Sequence, residues 1–213
     1  MDWVRYFTQN HQRRESIPWH QGVSVAPGLR RVLLPSLQRF QIGESGDGAH
    51  LLNVAPATGD PYYTAALELF VQEEQTHARL LAQAIDALGG EVVGRHWSDT
   101  CFVWLRRAAG LRTELFVLLT AELIGLRYYR ALRDGVDEPV LRRLFAQIVR
   151  DEEAHLAFHC QTLRPLMAGS TLLRRGEGHV EHLFSDRVHG RSARPCPGPA
   201  CGRPDGSCVS GRL

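Results

Sequence analysis

Lysine is absent from the chain, so its formal charge of +2 is a balance of 25 arginines against 23 carboxylates. The arginines are scattered, with no basic block or stripe, which argues against nucleic acid as a partner. The missing lysine carries no functional weight of its own. No apolar run approaches the roughly 18 to 20 residues that span a bilayer, so no membrane partner is expected. The opening residues, Met1-Asp2-Trp3-Val4-Arg5-Tyr6, lack the basic and apolar regions of a signal peptide, which makes the cytoplasm the expected compartment. Cysteine is sparse and unevenly placed: Cys101 and Cys160 fall in helical segments, and Cys196, Cys201 and Cys208 lie near the C-terminus. That is unlike the framework of a secreted domain, and reduced thiols are expected. What remains, 213 residues with 44% hydrophobic and 23% charged, suits one globular domain with a sizeable core.

The stretch that organises the chain is residues 145 to 159, where Asp151-Glu152-Glu153-Ala154-His155 sits inside an uninterrupted helical pattern. Glu152 and His155 are three residues apart and share a helix face. Phe145, Ile148 and Leu156 lie within about 60° of that face at 100° per residue, so the stripe is otherwise apolar. A carboxylate and an imidazole in such a stripe are costly unless something compensates them, and a metal ion would do so.

The motif occurs twice. Glu74 and His77 have the same spacing on a face shared with Tyr63, Leu67, Phe70 and Leu81. Glu44 precedes Glu74 by 30 residues, Glu122 precedes Glu152 by 30, and an offset of 78 carries the first set onto the second. The offset also superposes Asp60 on Glu138, Pro61 on Pro139 and Glu73 on Asp151. This register reads as an internal pseudo-repeat of two helix pairs.

The elements follow from the breakers. Residues 1–28 form an arm, with a short helix over 2–15 that places Trp3, Tyr6 and Phe7 on one side and ends before Ile17-Pro18-Trp19. A helix carrying Glu44 is predicted from about 29 or 35 to 54, with Pro35 in its first turn and Pro56 after its end. It contains Gly43, Gly46 and Gly48, each costing about 0.5 to 1 kcal/mol in a helix interior. Either close helix packing or an open pocket beside the metals explains that cost. The second helix starts at Asp60-Pro61 and ends near Leu88 before Gly89-Gly90. Residues 89–111 form a long crossover, with a short apolar helix from Thr100 to Ala109. The third helix spans about 111–133 and the fourth about 138–166. The bundle is assigned to 29–175. The extension at 176–213 is mostly disordered, being rich in Pro, Gly and Arg from Arg191 onward. Its cysteines are spaced by five and seven residues, unlike a Cys-x-x-Cys metal knuckle.

A lone Glu on one helix and Glu-x-x-His on the next, present twice, resembles the ferritin-like superfamily of carboxylate-bridged dimetal proteins over roughly residues 29–168. The resemblance implies an all-α, ferritin-like four-helix bundle with a long crossover between helices 2 and 3. It implies two iron ions, or manganese, held by Glu44, Glu74, His77, Glu122, Glu152 and His155. Glu74 and Glu152 would bridge the ions, Glu44 and Glu122 would be terminal, and each histidine would bind one ion. Glu73 and Asp151 look like the family's acids that orient the ligand histidines. Asp47, one turn after Glu44, is either a supporting acid or simply solvated. The competing reading pairs these carboxylates with Arg79, Arg127 or Arg150. Four ionised carboxylates match two divalent cations in charge, which favours the metals.

Three further groups bear on function. His159 lies one turn beyond His155, where the repeat has Leu81, and is either a ligand or catalytic group or a hydrogen-bonded core histidine. Tyr129, two turns past Glu122, and Tyr63 are either redox or hydrogen-bonding tyrosines or packing residues. Gly125 stands where rubrerythrins place an additional Glu, and no rubredoxin domain follows. The function implied is a di-iron oxidoreductase that activates O2 or peroxide for a small-molecule substrate, with His159 and Tyr129 as candidate catalytic groups and a separate electron donor. Alternatives are a non-catalytic iron-binding or oxidative-stress protein, expected as a large hollow oligomer, and a dimanganese catalase-like enzyme. A monomer or homodimer is expected of the oxidoreductase.

Overall fold

The computed structural model describes residues 1–46, 48–94 and 110–167, and among these the regular structure is helical. The chain divides into Met1–Ala168 and Gly169–Leu213, and the described residues all belong to the first part. The predicted crossover helix at 100–109, Asp47 and the C-terminal cysteines lie outside the described residues. Among the described residues no helix is long and apolar enough to cross a membrane.

Helix α1 (Trp3–Arg13) begins where the Asp2 side chain accepts from the Arg5 amide, and buries Trp3 and Phe7. Helix α2 (Pro27–Glu44) carries Glu44 as its last residue. A short helix α3 (Ala49–Val54) follows, then a 3-10 turn over Ala55–Thr58. Helix α4 (Pro61–Ala87) is capped by Asp60, whose side chain accepts from the amides of Tyr62 and Tyr63. Helices α5 (Gly110–Gly135) and α6 (Pro139–Met167) complete the set. The start of α6 matches that of α4: Glu138 accepts from the Leu141 amide at 2.7 Å, and proline again occupies the first turn. The repeat therefore reproduces its helix entries.

Packing joins α2 to α4 and α5 to α6, with α4 also against α6 and α1 lying on α4. The apolar positions of α4 and α6 recur at three- and four-residue spacing, as burial of one helical face requires. Leu67, Leu81, Leu144 and Ile148 are wholly buried, each worth about 2 kcal/mol relative to exposure. Trp3 and Phe7 join Tyr63, Phe70 and Phe158 in one core cluster. The N-terminal arm is thus part of the core, anchored by the Trp3 indole donating to Gln161 at 2.7 Å.

Two boundaries of the first ligand helix differ from expectation. It starts at Pro27, which leaves Pro35 inside it, because Pro27 supplies a first-turn proline earlier. It also stops at Glu44 and does not continue to 54. Its C-cap is Ser45, whose amide donates to the Ile42 carbonyl, and Gly48 opens the next helix in a left-handed conformation at φ +63°. A Cβ there would lie 2.6 Å from Cγ2 of Val71 on α4. Close packing accounts for Gly48, whereas at Gly43 and Gly46 an added Cβ would meet nothing within 4 Å. Gly48→Ala is expected to destabilise by at least about 1–2 kcal/mol from the backbone alone, and Val71→Ala should recover only the steric part. Urea denaturation of the two single variants and the double variant measures both parts.

Candidate metal centre

Glu74 and His77 on α4 face Glu152 and His155 on α6, and one donor atom from each falls within 4.8 Å of all the others, a grouping that can hold a metal ion. The four come from two helices because Glu-x-x-His presents both side chains on one face of each. Glu44 adds its carboxylate from the C-terminus of α2, with Oε2 3.8 Å from His77 Nδ1. Glu122 adds its own from the middle of α5, with Oε2 3.5 Å from His155 Nδ1. All six residues predicted as ligands are therefore brought together. Among the described residues none of these carboxylates pairs with Arg79, Arg127 or Arg150; Arg79 donates to Thr76.

The histidines are held in a crossed arrangement. Nε2 of His77 donates to Asp151 of the opposite motif at 3.0 Å, and Nε2 of His155 donates to Glu73 at 3.0 Å. An ionised carboxylate only accepts, so the Nε2 proton is fixed and Nδ1 of each ring turns toward the cluster. The family resemblance implied Glu73 and Asp151 in this role but not the crossing. It also missed Asn10 and Arg14 on and just after α1, which bind both acids at once. Asn10 donates to Glu73 at 2.5 Å and to Asp151 at 2.8 Å. Arg14 reaches Glu73 at 3.2 Å and Asp151 at 2.9 Å. Gln147 supports Arg14 by accepting from it at 3.1 Å while its amide nitrogen donates to the Glu15 carbonyl. The only advance signal was amphipathicity of the first helix, which reports a buried face and not its target.

Inside this frame the donor atoms crowd without pairing. His77 Nδ1 stands 3.6 Å from Glu74 and 3.5 Å from Glu152. His155 Nδ1 is 3.0 Å from Glu74, without hydrogen-bond alignment. His77 Nδ1, His155 Nδ1 and Glu74 Oε1 are buried atoms with no hydrogen-bond partner among the described residues. Orphaned donors converging from several elements fit a cation and fit poorly with a hydrogen-bonded polar core.

Electrostatics point the same way. Burial raises the Glu74 carboxyl well above its ordinary range, reinforced by Glu44 and Glu122. Burial does the same to Glu152, reinforced by Glu122, Glu44 and Glu74. Burial opposes protonation of His77, but Asp151, Glu152 and Glu44 override it and raise the imidazole well above its ordinary value. For His155, burial is likewise overridden by Glu122, Glu73 and Glu74. Glu122 is pulled to about 2 against the cost of burial, chiefly by His155. Asp151 is also pulled to about 2 against burial, by His77 first and Arg14 after it. Without a metal the buried carboxylates thus favour the neutral forms of Glu74 and Glu152 and the charged forms of His77 and His155, and divalent ions would supply positive charge in place of those protons.

The remaining candidates divide. Tyr129 is wholly buried and donates to Glu44 at 2.6 Å, so it hydrogen-bonds a site carboxylate across 85 residues of chain. Burial and the nearby Glu44 raise its phenol well above the ordinary range. Tyr63 packs on Phe158 in the core, its hydroxyl unpaired. His159 is wholly buried, with Nε2 3.9 Å from Glu122, and burial lowers its imidazole to about 4. A Cβ on Gly125 would sit 3.6 Å from Glu152 Oε2, so the glycine leaves space directly beside the cluster. Comparison of the chain with protein-family models, curated proteins and solved structures returned no match.

Proposed function

We propose that the chain is a ferritin-like four-helix bundle that holds two iron ions and acts as an oxidoreductase, using O2 or peroxide on a small organic substrate. The observation that carries this reading is the convergence of three buried atoms without a hydrogen-bond partner among the described residues, His77 Nδ1, His155 Nδ1 and Glu74 Oε1, with the carboxylates of Glu44, Glu122 and Glu152. Glu44 and His77 would hold one ion, Glu122 and His155 the other, with Glu74 and Glu152 shared between them. The ions would supply Lewis acidity and electrons for the reduction of O2 or peroxide. Iron over manganese, the separate electron donor and a monomeric or dimeric assembly rest on the resemblance in the sequence.

The protein's own groups have definable parts in this reading. Side-chain exposure falls from 20% at Glu74 and 10% at Glu44 to 5% at Glu122 and 0% at both histidines. A substrate would therefore approach from the Glu44 and Glu74 side, where α2 ends. Gly125 leaves room beside Glu152 that a larger residue would fill. The Tyr129 hydroxyl is placed to hold or deliver a proton at Oε1 of Glu44.

Anaerobic loading with ferrous iron tests the reading. About two ions are expected per chain, with release of protons into weakly buffered solution. Protons compete with the ions for Glu74, Glu152, His77 and His155, so affinity should rise with pH and fall on acidification. Admission of O2 should then give a transient optical band. Absence of tight binding by ferrous and manganous ions alike would refute the proposal, and many ions per chain in a hollow oligomer would replace it with iron sequestration.

A further inference from the structure

The pseudo-repeat makes the two halves of the centre equivalent at the glutamates and motif histidines, and among the buried positions where it fails is one beside them. Residue 81 on α4 is Leu81, wholly buried in the apolar core. Its counterpart on α6, 78 residues later, is His159, equally buried. Among the described residues neither ring nitrogen of His159 has a hydrogen-bond partner. A wholly buried imidazole with two orphaned nitrogens is costly, and a structural histidine would normally pair at least one of them. Its surroundings do not explain it: Phe70 meets the ring edge to face with centroids 4.7 Å apart, and Phe158 lies on another side at 5.3 Å. Its Nε2 stands 3.9 Å from Oε1 of Glu122. Two donors on a common ion, each bonded at about 2.1 Å, stand at most about 4.2 Å apart.

We infer that His159 is a seventh protein ligand, adding a second imidazole to the ion held by Glu122 and His155 and none to the ion held by Glu44 and His77. This rests on the dimetal reading above. Phe70 and Phe158 fix the ring so that Nε2 is presented to the site, and Leu81 leaves the other half with one imidazole. Imidazole suits iron, whereas manganese favours carboxylate and water. The Glu122 end therefore selects ferrous over manganous ion, and the Glu44 end discriminates less.

The test is anaerobic titration of the full chain with ferrous ion, and with manganous ion in competition. It compares the natural protein with His159→Leu, which copies the other half of the repeat. The variant should bind its first ferrous ion normally and its second about 10- to 100-fold more weakly, and lose the preference for iron at that position. Its metal-free midpoint in urea should be unchanged or higher, because two orphaned nitrogens leave the core; a structural histidine would lower it. In His159→Ala, free imidazole should restore the second ion. Two equivalents bound with natural affinity and selectivity in both folded variants would overturn the inference while leaving the dimetal reading intact. Failure of the natural protein to bind either ion would overturn both.

Discussion

Glu152→Gln is expected to reduce bound iron from two ions to no more than one and to weaken residual binding at least about a hundredfold. It should do so without costing the metal-free protein stability. Glu152 is 2% exposed, and burial together with the charges of Glu122, Glu44 and Glu74 raises its carboxyl well above the ordinary range. A group whose folded pKa is raised costs stability as pH climbs above its unfolded value, here the ordinary carboxyl range. Ionisation of Glu152 should therefore take stability from the metal-free natural protein as pH rises above that range. The glutamine variant, which keeps the shape and cannot ionise, should lose less. Ferrous titration and urea denaturation at several pH values read the two effects separately. Two ions bound with undiminished affinity would end the ligand assignment, and a large loss of metal-free stability would indicate that Glu152 serves the fold.

Arg14→Ala, unlike Glu152→Gln, should destabilise the metal-free protein, by about 3 kcal/mol. Its guanidinium is 13% exposed and faces two carboxylates that are almost wholly buried, Glu73 and Asp151. Removing it leaves those charges with Asn10 and the histidines alone. Most of the loss is the penalty of uncompensated buried charge. Adding Asp151→Asn should therefore recover part of it, which a double-mutant cycle measures. Metal affinity should fall about tenfold to a hundredfold, because both ligand histidines take their orientation from the acids that Arg14 binds. A metal-free stability within about 0.5 kcal/mol of the natural protein would place Arg14 among ordinary surface residues.

Much of the candidate site was legible in the sequence because its information is local. Glu-x-x-His fixes two side chains on one helix face whatever surrounds the helix, and the offset of 78 made four separate segments one pattern. The helix starts at Pro61 and Pro139 were equally local, set by an acidic cap followed by proline. The end of α2 was not. An unbroken helix to residue 54 satisfies the pattern of apolar residues, but α2 is capped at Ser45 and a new helix opens at Gly48, in a left-handed turn where Val71 of a distant helix leaves no space for a side chain.

The amino-acid sequence by itself determined that the chain is helical, that two carboxylate and histidine motifs repeat, and which six residues are candidate ligands. Periodicity and spacing along a helix require nothing beyond the chain itself. Only the tertiary structure decided that Glu73 holds His155 and Asp151 holds His77, that Asn10 and Arg14 clamp both acids, and that Tyr129 donates to Glu44. It also decided that His159 has no hydrogen-bond partner among the described residues. Those are contacts between elements 59 to 141 residues apart. Their pairing depends on how helices rotate and stack against one another, and no local pattern records that.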